Sequence, residues 1–167
     1  SLKKKMDNIE TAYFAGGCFW GVEYYFQKYE GVLATKVGYM GGFVENPTYE
    51  QVCYENTGHI ETLEVKFDNQ KISFENLAKL FFEIHDPSQL NRQGPDIGEQ
   101  YRSAIFYTNE EQKAISIDLI NILKEKGINA VTQIMPATIF WEAEEEHQKY
   151  YLYKGQRPYC HFRKLIF

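Results

Sequence analysis

Cys18 is the residue whose type and position most directly suggest chemistry. It follows a predicted strand, Thr11 to Ala15, and the pair Gly16-Gly17, and it opens a predicted helix. The unpaired N–H groups and positive dipole end of a helix favour a thiolate over a thiol. The two glycines let a substrate approach the backbone closely. The alternative is a small buried cysteine in a tight turn, because free cysteine is often a core residue.

Glu61 is the second residue of this kind. In a predicted strand from Ile60 to Phe67, Glu61 shares one face with Leu63 and Val65. A carboxyl group on an apolar face loses solvation, which raises its pKa and lets it deliver a proton near neutral pH. The alternative places Glu61 at a fraying strand end, where its side chain reaches solvent.

Four aromatic residues and one aspartate complete the set of candidates. Phe19 and Trp20 follow Cys18 directly; at most one joins the helix core stripe, and the other can form an apolar wall for a small substrate group. Tyr49 and Tyr101 lie in two long predicted loops and offer phenolic O–H donors, although a tyrosine in isolation is more often a packed or surface residue. Asp96, next to Pro95, is by default a turn former.

Five segments, in this order along the chain, resemble type A peptide-methionine sulfoxide reductases. The segments are Gly17-Cys18-Phe19-Trp20-Gly21, Pro47-Thr48-Tyr49, Gly58-His59-Ile60-Glu61, His85-Asp86-Pro87 and the run from Arg92 to Ser103. The resemblance implies that Cys18 is the nucleophile and Glu61 the acid. It also implies assisting hydroxyls at Tyr49 and Tyr101, a further site carboxylate at Asp96, and a pocket for the substrate methyl group at Phe19 and Trp20. The resemblance further implies that thioredoxin is the reductant and that the S epimer of methionine sulfoxide is the substrate.

The three cysteines, Cys18, Cys53 and Cys160, form an odd and widely spaced set without a CxxC motif. The set argues against a disulfide-stapled secreted fold and favours a reducing compartment with at least one reactive thiol. Reduction of a sulfoxide should leave Cys18 as a sulfenic acid, which condenses readily with a nearby thiol. Relatives often hold a resolving cysteine where Cys160 lies, so we expect that role for it. The alternatives are an external thiol, with Cys160 structural, or Cys53, which we interpret as structural.

The histidines do not indicate a metal site. No pair among His59, His85, His147 and His161 has the compact spacing of zinc ligands. We expect no metal and no prosthetic cofactor, with an external thiol as reductant. Glu144-Glu145-Glu146 is interpreted as the solvated face of the last helix.

The elements that position these residues are predicted in the order β-α-β-β-α-β-α-β-α. The first six match a ferredoxin-like split β-α-β core, an α+β fold with helices packed on a mixed β-sheet. The remaining predicted bounds are helix Cys18 to Lys28, strand Leu33 to Tyr39, a helix capped by Ser73, strand Ser103 to Tyr107, a helix after a Thr108/Glu111 capping box, strand Ala130 to Met135 and helix Ala143 to Leu152. The two long loops, Phe43 to Gly58 and Ser88 to Tyr101, exceed the usual length and are candidates for function.

Length and charge restrict the class of protein. The 167 residues predict a single catalytic domain over 1–167, with residues 1–8 disordered and an irregular C-terminal tail over 153–167. The net charge of -5, with no basic run beyond Lys3-Lys4-Lys5, argues against nucleic acid and anionic membranes as partners. No apolar run approaches the roughly 20 residues of a membrane span. We expect a cytoplasmic monomer.

The resulting hypothesis is thiol-dependent reduction of methionine sulfoxide, free or in proteins and peptides, to methionine, and thus repair of oxidised proteins. A thiol peroxidase would also end at a sulfenic acid on Cys18, but it would need neither an acid at Glu61 nor an apolar methyl pocket. A non-enzymatic module that binds oxidised or Met-rich segments would leave Cys18 inert.

Overall fold

The computed structural model describes residues 8–167. The predicted disorder of residues 1–8, and the tail lysines Lys3 to Lys5, therefore lie outside the described residues except for Asn8. Within the described part, no helix is both long enough and apolar enough to cross a membrane.

A six-stranded sheet forms the centre of the fold. Its strands are β1 (Ile9–Gly16), β2 (Val32–Met40), β3 (Ile60–Asp68), β6 (Ser103–Tyr107), β7 (Gln133–Pro136) and β8 (Trp141–Glu142), in the spatial order β7-β6-β1-β3-β2-β8. The pairs of β1 with β3 and β6, and of β2 with β3 and β8, are antiparallel, whereas β6 and β7 are parallel. The inner order β6-β1-β3-β2 is that of a split β-α-β core. The predicted fold class is confirmed.

Five helices accompany this sheet in the described residues. They are α1 (Phe19–Phe26), α2 (Tyr49–Tyr54), α3 (Phe74–Glu83), α4 (Glu110–Glu125) and α5 (Tyr150–Lys154), with short 3-10 turns at Glu99–Tyr101 and Glu145–His147. The ring of Phe14 on β1 packs against Phe26 of α1 at 5.1 Å and Phe81 of α3 at 5.2 Å between ring centroids. Ala15 belongs to a second core cluster with Met40, since alternate residues of a strand point to opposite faces.

The two long loops contain structure that the sequence pattern did not predict. α2 lies within the loop from Phe43 to Gly58, where Thr48 caps it by a reciprocal pair of hydrogen bonds with Gln51. The loop from Ser88 to Tyr101 contains a short hairpin of β4 (Arg92–Gln93) and β5 (Asp96–Ile97). Each loop therefore contains hydrogen-bonded structure of its own.

Two predicted details are wrong. The N-cap of α4 is Asn109, whose side chain accepts a hydrogen bond from the backbone N–H of Gln112 at 2.8 Å, so the Thr108/Glu111 capping box does not form. The predicted helix from Ala143 to Leu152 is instead a 3-10 turn followed by α5. It is interrupted at Lys149, which has φ 53° and whose N–H and Nζ both donate to the buried carboxylate of Glu23. The tertiary contacts of Lys149 override the helical pattern of its neighbours.

The C-terminal tail is irregular, as predicted, but it is tied to α3. The buried carboxylate of Glu83 accepts hydrogen bonds from the Arg163 guanidinium at 2.9 and 3.1 Å and from the N–H of Ile166 at 2.9 Å. This anchor directs the preceding tail residues across the C-terminal end of β1.

Candidate active site

Cys18 lies at the junction of β1 and α1. Gly17, with φ 92°, makes the sharp turn between the strand and the helix, and a side chain there would also meet Gln93. Cys18 is the N-cap residue of α1, and its carbonyl accepts hydrogen bonds from the N–H groups of Gly21 and Val22. The side chain is 6% exposed. Cys18 is thus held rigidly at a helix N-terminus, as the sequence predicted.

A helix N-terminus favours the thiolate form of a cysteine, but the other neighbours of Cys18 favour its thiol form. A hydrogen bond to Cys160, burial, and the negative charge of Glu61 all raise the pKa of the Cys18 thiol well above its usual range. The N–H of Trp20 acts in the opposite direction but is outweighed. Cys18 therefore rests as a thiol that shares its proton with Cys160.

Glu61 is buried beside the first turn of α1. Its side chain is 1% exposed and lies on the helix-covered face of β3, with Leu63 and Val65. The N–H of Phe19 donates to Oε1 at 3.2 Å, whereas Oε2 is buried and has no hydrogen-bond partner among the described residues. Burial raises the pKa of Glu61 to about 8, although the Phe19 N–H lowers it. Glu61 therefore carries a proton at neutral pH.

The side chains of Tyr49 and Tyr101, one from each long loop, both lie near Glu61. Tyr49 is the first residue of α2, and Tyr101 ends the 3-10 turn that follows β5. Burial, and then the charge of nearby Glu61, raise the pKa of both phenols. Both hydroxyl groups therefore stay protonated and can donate hydrogen bonds.

Asp96 and Cys160 close the site on the other side of Cys18. The two sulfur atoms and one Asp96 carboxylate oxygen all lie within 4.8 Å of one another. Burial, and then the charge of Cys160, raise the pKa of Asp96 to about 6. A hydrogen bond from Cys18 lowers the pKa of Cys160 to about 5; burial opposes this, and His161 adds to it. Within the pair of cysteines, these contacts favour the thiol form of Cys18 and the thiolate form of Cys160.

Two groups of three potential metal ligands occur in the described residues. One is the set Cys18, Asp96 and Cys160, and the other is Glu144, Glu146 and His147. A thiophilic ion at the first set would occupy both sulfur atoms and so block thiol chemistry. The absence of a metal from the reaction stays a prediction.

Phe19 and Trp20 diverge, as adjacent helix residues must. Phe19 is 1% exposed and belongs to the main core. Trp20 is only partly buried; its ring stacks on Tyr150 with 3.8 Å between centroids, and its Nε1 donates to His147 Nδ1 at 3.3 Å. His147 in turn stacks on Tyr49 at 4.2 Å. Trp20 is therefore the one of the pair that presents an apolar surface toward the solvent side of the site.

Several residues of this region were not identified from the sequence. Glu144, interpreted as part of a solvated helix face, accepts hydrogen bonds from Tyr39 Oη at 3.3 Å and from the N–H of Tyr49 at 3.2 Å. His147 and Tyr150 flank Trp20, and the ring of His161 contacts Cys160. The one local signal was the density of aromatic residues between Phe140 and Tyr153.

Cys53 lies apart from the pair of Cys18 and Cys160. It is the fifth residue of α2, half-buried, with Tyr49 and Gln100 as its hydrogen-bonding neighbours. Burial raises the pKa of its thiol. The structure thus places the sulfur of Cys160, rather than that of Cys53, within 4.8 Å of the sulfur of Cys18.

The family model described as peptide methionine sulfoxide reductase matches residues 10–166. The chain belongs to this family. The resemblance that five short segments indicated is confirmed over nearly the whole length. Among curated members of the family, the chain is 51% identical over 164 residues to the peptide methionine sulfoxide reductase MsrA of Methanothermobacter thermautotrophicus, and 96% of each chain is covered.

Solved structures agree with this family assignment. The reduced form of Mxr1 from Saccharomyces cerevisiae superposes with a TM-score of 0.89 at 32% identity, covering 95% of this chain and 93% of that one. Mxr1 has also been solved in complex with Trx2; that structure covers 95% of this chain and 91% of Mxr1, with a TM-score of 0.64 at 24% identity, and adds a likeness of fold.

Proposed function

We propose that this family member reduces the S epimer of methionine sulfoxide, free or in proteins, to methionine and so repairs oxidised proteins. The observation that carries the proposal is the buried carboxyl group of Glu61, which is hydrogen-bonded to the first turn of α1 and keeps one oxygen without a partner. A thiol peroxidase would need the thiol of Cys18 but no protonated acid beside it. Sulfoxide reduction accounts for both groups.

In the first step, the sulfur of Cys18 attacks the sulfoxide sulfur while Glu61 protonates the sulfoxide oxygen. The hydroxyl group then passes from the substrate sulfur to Cys18: an S–O bond forms on Cys18 to give a sulfenic acid, the S–O bond of the substrate and the bond between the two sulfur atoms break, and methionine leaves. Cys18 loses its thiol proton during the attack, so the step takes up one proton and releases one. The sulfur of Cys160, which already accepts a hydrogen bond from Cys18, is the nearest acceptor for the released proton.

The neighbouring side chains assist in this step. Tyr49 and Tyr101 donate hydrogen bonds to the sulfoxide oxygen, where negative charge develops as the S–O bond weakens. Trp20, backed by Phe19, provides an apolar wall for the substrate methyl group. Asp96 serves as a second site carboxylate beside the two sulfur atoms.

The second step regenerates Cys18. Its sulfenic acid condenses with the thiol of Cys160 to give a disulfide and water, and an external thiol then reduces the disulfide. We propose thioredoxin as this reductant, supported by the structure of Mxr1 with Trx2. A surface cleft of about 570 Å³ has Cys160 and the exposed Phe162 in its wall, so a protein thiol has a route to this sulfur. The proposal includes a cytoplasmic location and no prosthetic cofactor.

The test is an assay of wild type and Cys18→Ser with a methyl sulfoxide substrate and, separately, with a peroxide. We expect wild type to reduce the sulfoxide far better than the peroxide. We expect Cys18→Ser to be inactive but folded, because the hydroxyl of serine is a poor nucleophile where no base activates it. Cys53→Ser is the matched control and should remain active. Sulfoxide reduction by Cys18→Ser would overturn the mechanism, and a preference for peroxide would favour the peroxidase.

A further inference from the structure

His161 follows Cys160 in the C-terminal tail and is buried against the turn between β1 and α1. It is 3% exposed. Among the described residues, it is the one histidine whose ring nitrogen lies within hydrogen-bonding distance of a cysteine sulfur, with 3.0 Å between Nδ1 and the Sγ of Cys160. The proposed function assigns no role to this contact.

The other ring nitrogen determines what Nδ1 can do. Nε2 lies 2.7 Å from the carbonyl oxygen of Gly16, which can only accept a hydrogen bond. The proton of a neutral imidazole therefore resides on Nε2. Nδ1 is left with its lone pair directed at the sulfur of Cys160, so it can take up the thiol proton.

The turn at Cys18 leaves room for this ring. A side chain at Gly21 would overlap the imidazole of His161, and one at Gly17 would come within 3.3 Å of its Nε2. Tyr25 Oη donates a hydrogen bond of 3.2 Å to the backbone carbonyl of His161. Because the ring is fixed at Gly16 and its backbone at Tyr25, its Nδ1 is positioned with little conformational freedom.

We propose that His161 is the base that activates Cys160 in the second step. The inference deepens the proposed function and rests on it. Nδ1 takes the proton that Cys160 received from Cys18 in the first step, and the sulfur of Cys160 then attacks the sulfur of the Cys18 sulfenic acid. The S–S bond forms and the S–O bond breaks. The departing oxygen takes up the proton from His161 and leaves as water. Cys160 is oxidised, Cys18 is reduced from the sulfenic acid, and no other reactant is needed.

The oxidation state of Cys18 explains why a second activator is needed. In the resting protein, the largest influence that lowers the pKa of Cys160 is the hydrogen bond from the Cys18 thiol, and His161 adds to it. Once Cys18 is a sulfenic acid, the S–H donor is gone, whereas the contact with His161 does not depend on it. Other titratable groups also surround the two sulfur atoms and are common to all variants compared below. They are Glu61 on β3, Asp96 on β5, Tyr25 on α1, Tyr151 on α5 and Tyr159 in the tail. His85, after α3, faces His161 rather than the sulfur atoms, and only the control variant lacks it.

The experiment separates the two steps. Reduced protein is mixed with stoichiometric methionine sulfoxide without reductant and quenched in acid. Methionine release reports the first step, and the Cys18–Cys160 disulfide, identified by peptide mapping, reports the second. We compare wild type, His161→Asn and, as the matched control, His85→Asn, which removes another buried histidine that has no cysteine contact.

We expect His161→Asn to release methionine at the wild-type rate but to form the disulfide about 10²-fold more slowly at pH 6.5. Raising the pH to 9 should restore most of the rate, because solvent then supplies the thiolate. A merely structural defect would not be rescued by pH. His85→Asn should keep the wild-type pH profile for disulfide formation.

Each other result has a distinct meaning. Equal disulfide rates and pH profiles in wild type and His161→Asn would overturn the role of His161, as would a loss of methionine release in this variant alone. No methionine release from wild type would instead overturn the proposed function. If His161→Asn does not fold, alkylation of Cys160 is followed against pH in Cys18→Ala. A midpoint well below the usual thiol value of about 8.5 is expected, and a midpoint near it would contradict the proposal.

Discussion

Glu61 is the residue at which burial and chemistry are most closely linked. A carboxyl group that is 1% exposed, with a single N–H donor, favours its neutral form because the charged form has lost its solvation. The pKa of about 8 places the protonated acid in large excess at neutral pH. In the proposed mechanism, the burial that makes the ionised form costly is also what keeps a proton available for the sulfoxide oxygen.

The first prediction concerns the rate of methionine release in a single turnover. In wild type, it should fall by about tenfold per pH unit above pH 8, since the acid form of Glu61 is lost there. Glu61→Gln should still bind sulfoxide but react about 10²–10⁴-fold more slowly at pH 7, without that descending limb.

Quenched-flow measurement of methionine in Glu61→Gln and in Glu64→Gln checks this prediction. Glu64 lies on the opposite face of β3, where it accepts a hydrogen bond from Tyr13 at 2.9 Å. The Glu64 variant should retain the wild-type rate. A Glu61→Gln rate equal to wild type at pH 6 would remove Glu61 from the role of acid.

At the scale of the elements, the tail and α3 form one unit. Glu83, at the last residue of α3, accepts hydrogen bonds from the Arg163 side chain and from the N–H groups of Ile166 and Phe167. These contacts fix the tail only three residues after Cys160. A bridge between two cysteines needs Cα atoms within about 7 Å, so the anchor of the tail limits how far Cys160 can move from Cys18.

The second prediction is that Glu83→Gln slows formation of the Cys18–Cys160 disulfide without slowing methionine release. The amide introduced by this substitution would keep one acceptor oxygen, but its NH₂ group would face the N–H donors of the tail and could not accept their hydrogen bonds. The tail would therefore be held less tightly. Glu75→Gln is the control, because Glu75 is an exposed residue on the same helix that pairs with Lys79. Thiol titration after a single turnover measures the disulfide. Identical disulfide rates in the two variants would show that the anchor does not position Cys160.

At the scale of the whole molecule, the site makes stability depend on pH. The folded pKa of Glu61 is raised from 4.5 to about 8, so folding favours its protonated form. Its contribution to the free energy of unfolding is therefore fully present below pH 4.5, declines as the pH rises, and is lost once the pH has passed 8. The pKa of Asp96 is raised from 3.8 to about 6, so its contribution to the free energy of unfolding also declines as the pH rises, but between pH 3.8 and about 6.

The third prediction is that Glu61→Gln becomes more stable relative to wild type as the pH rises from 5 to 8.5, by a few kcal/mol. The contributions of the other titratable groups to the free energy of unfolding are the same in both proteins and therefore cancel in this comparison. Urea unfolding of both proteins at several pH values measures it. Asp96→Asn should show the same trend but level off near pH 6. A difference between Glu61→Gln and wild type that does not change with pH would mean that Glu61 is ionised in the folded protein.

Much of the molecule was determined by local patterns in the sequence. Alternating residues predicted β2 and β3, a short run before Gly16-Gly17 predicted β1, and the order of the first six elements predicted the split β-α-β core. The place of Cys18 at a helix start and of Glu61 on an apolar strand face depend only on their immediate neighbours. The starts of α4 and α5 were predicted wrongly, because Asn109 caps one helix and the contact of Lys149 with Glu23 interrupts the other.

The tertiary structure decided what no local pattern contains. The contact of His161 with Gly16 spans 145 residues of sequence, and the anchor of Glu83 to Arg163 spans 80. These long-range contacts place Cys160 beside Cys18, where its sulfur raises the pKa of the Cys18 thiol, against the direction that the helix terminus alone predicts. A pKa depends on every charge, donor and apolar group within a few ångströms, whatever its distance along the chain. The sequence alone therefore determined the type A family and predicted the nucleophile, while only the folded tail decided which thiol stands next to Cys18.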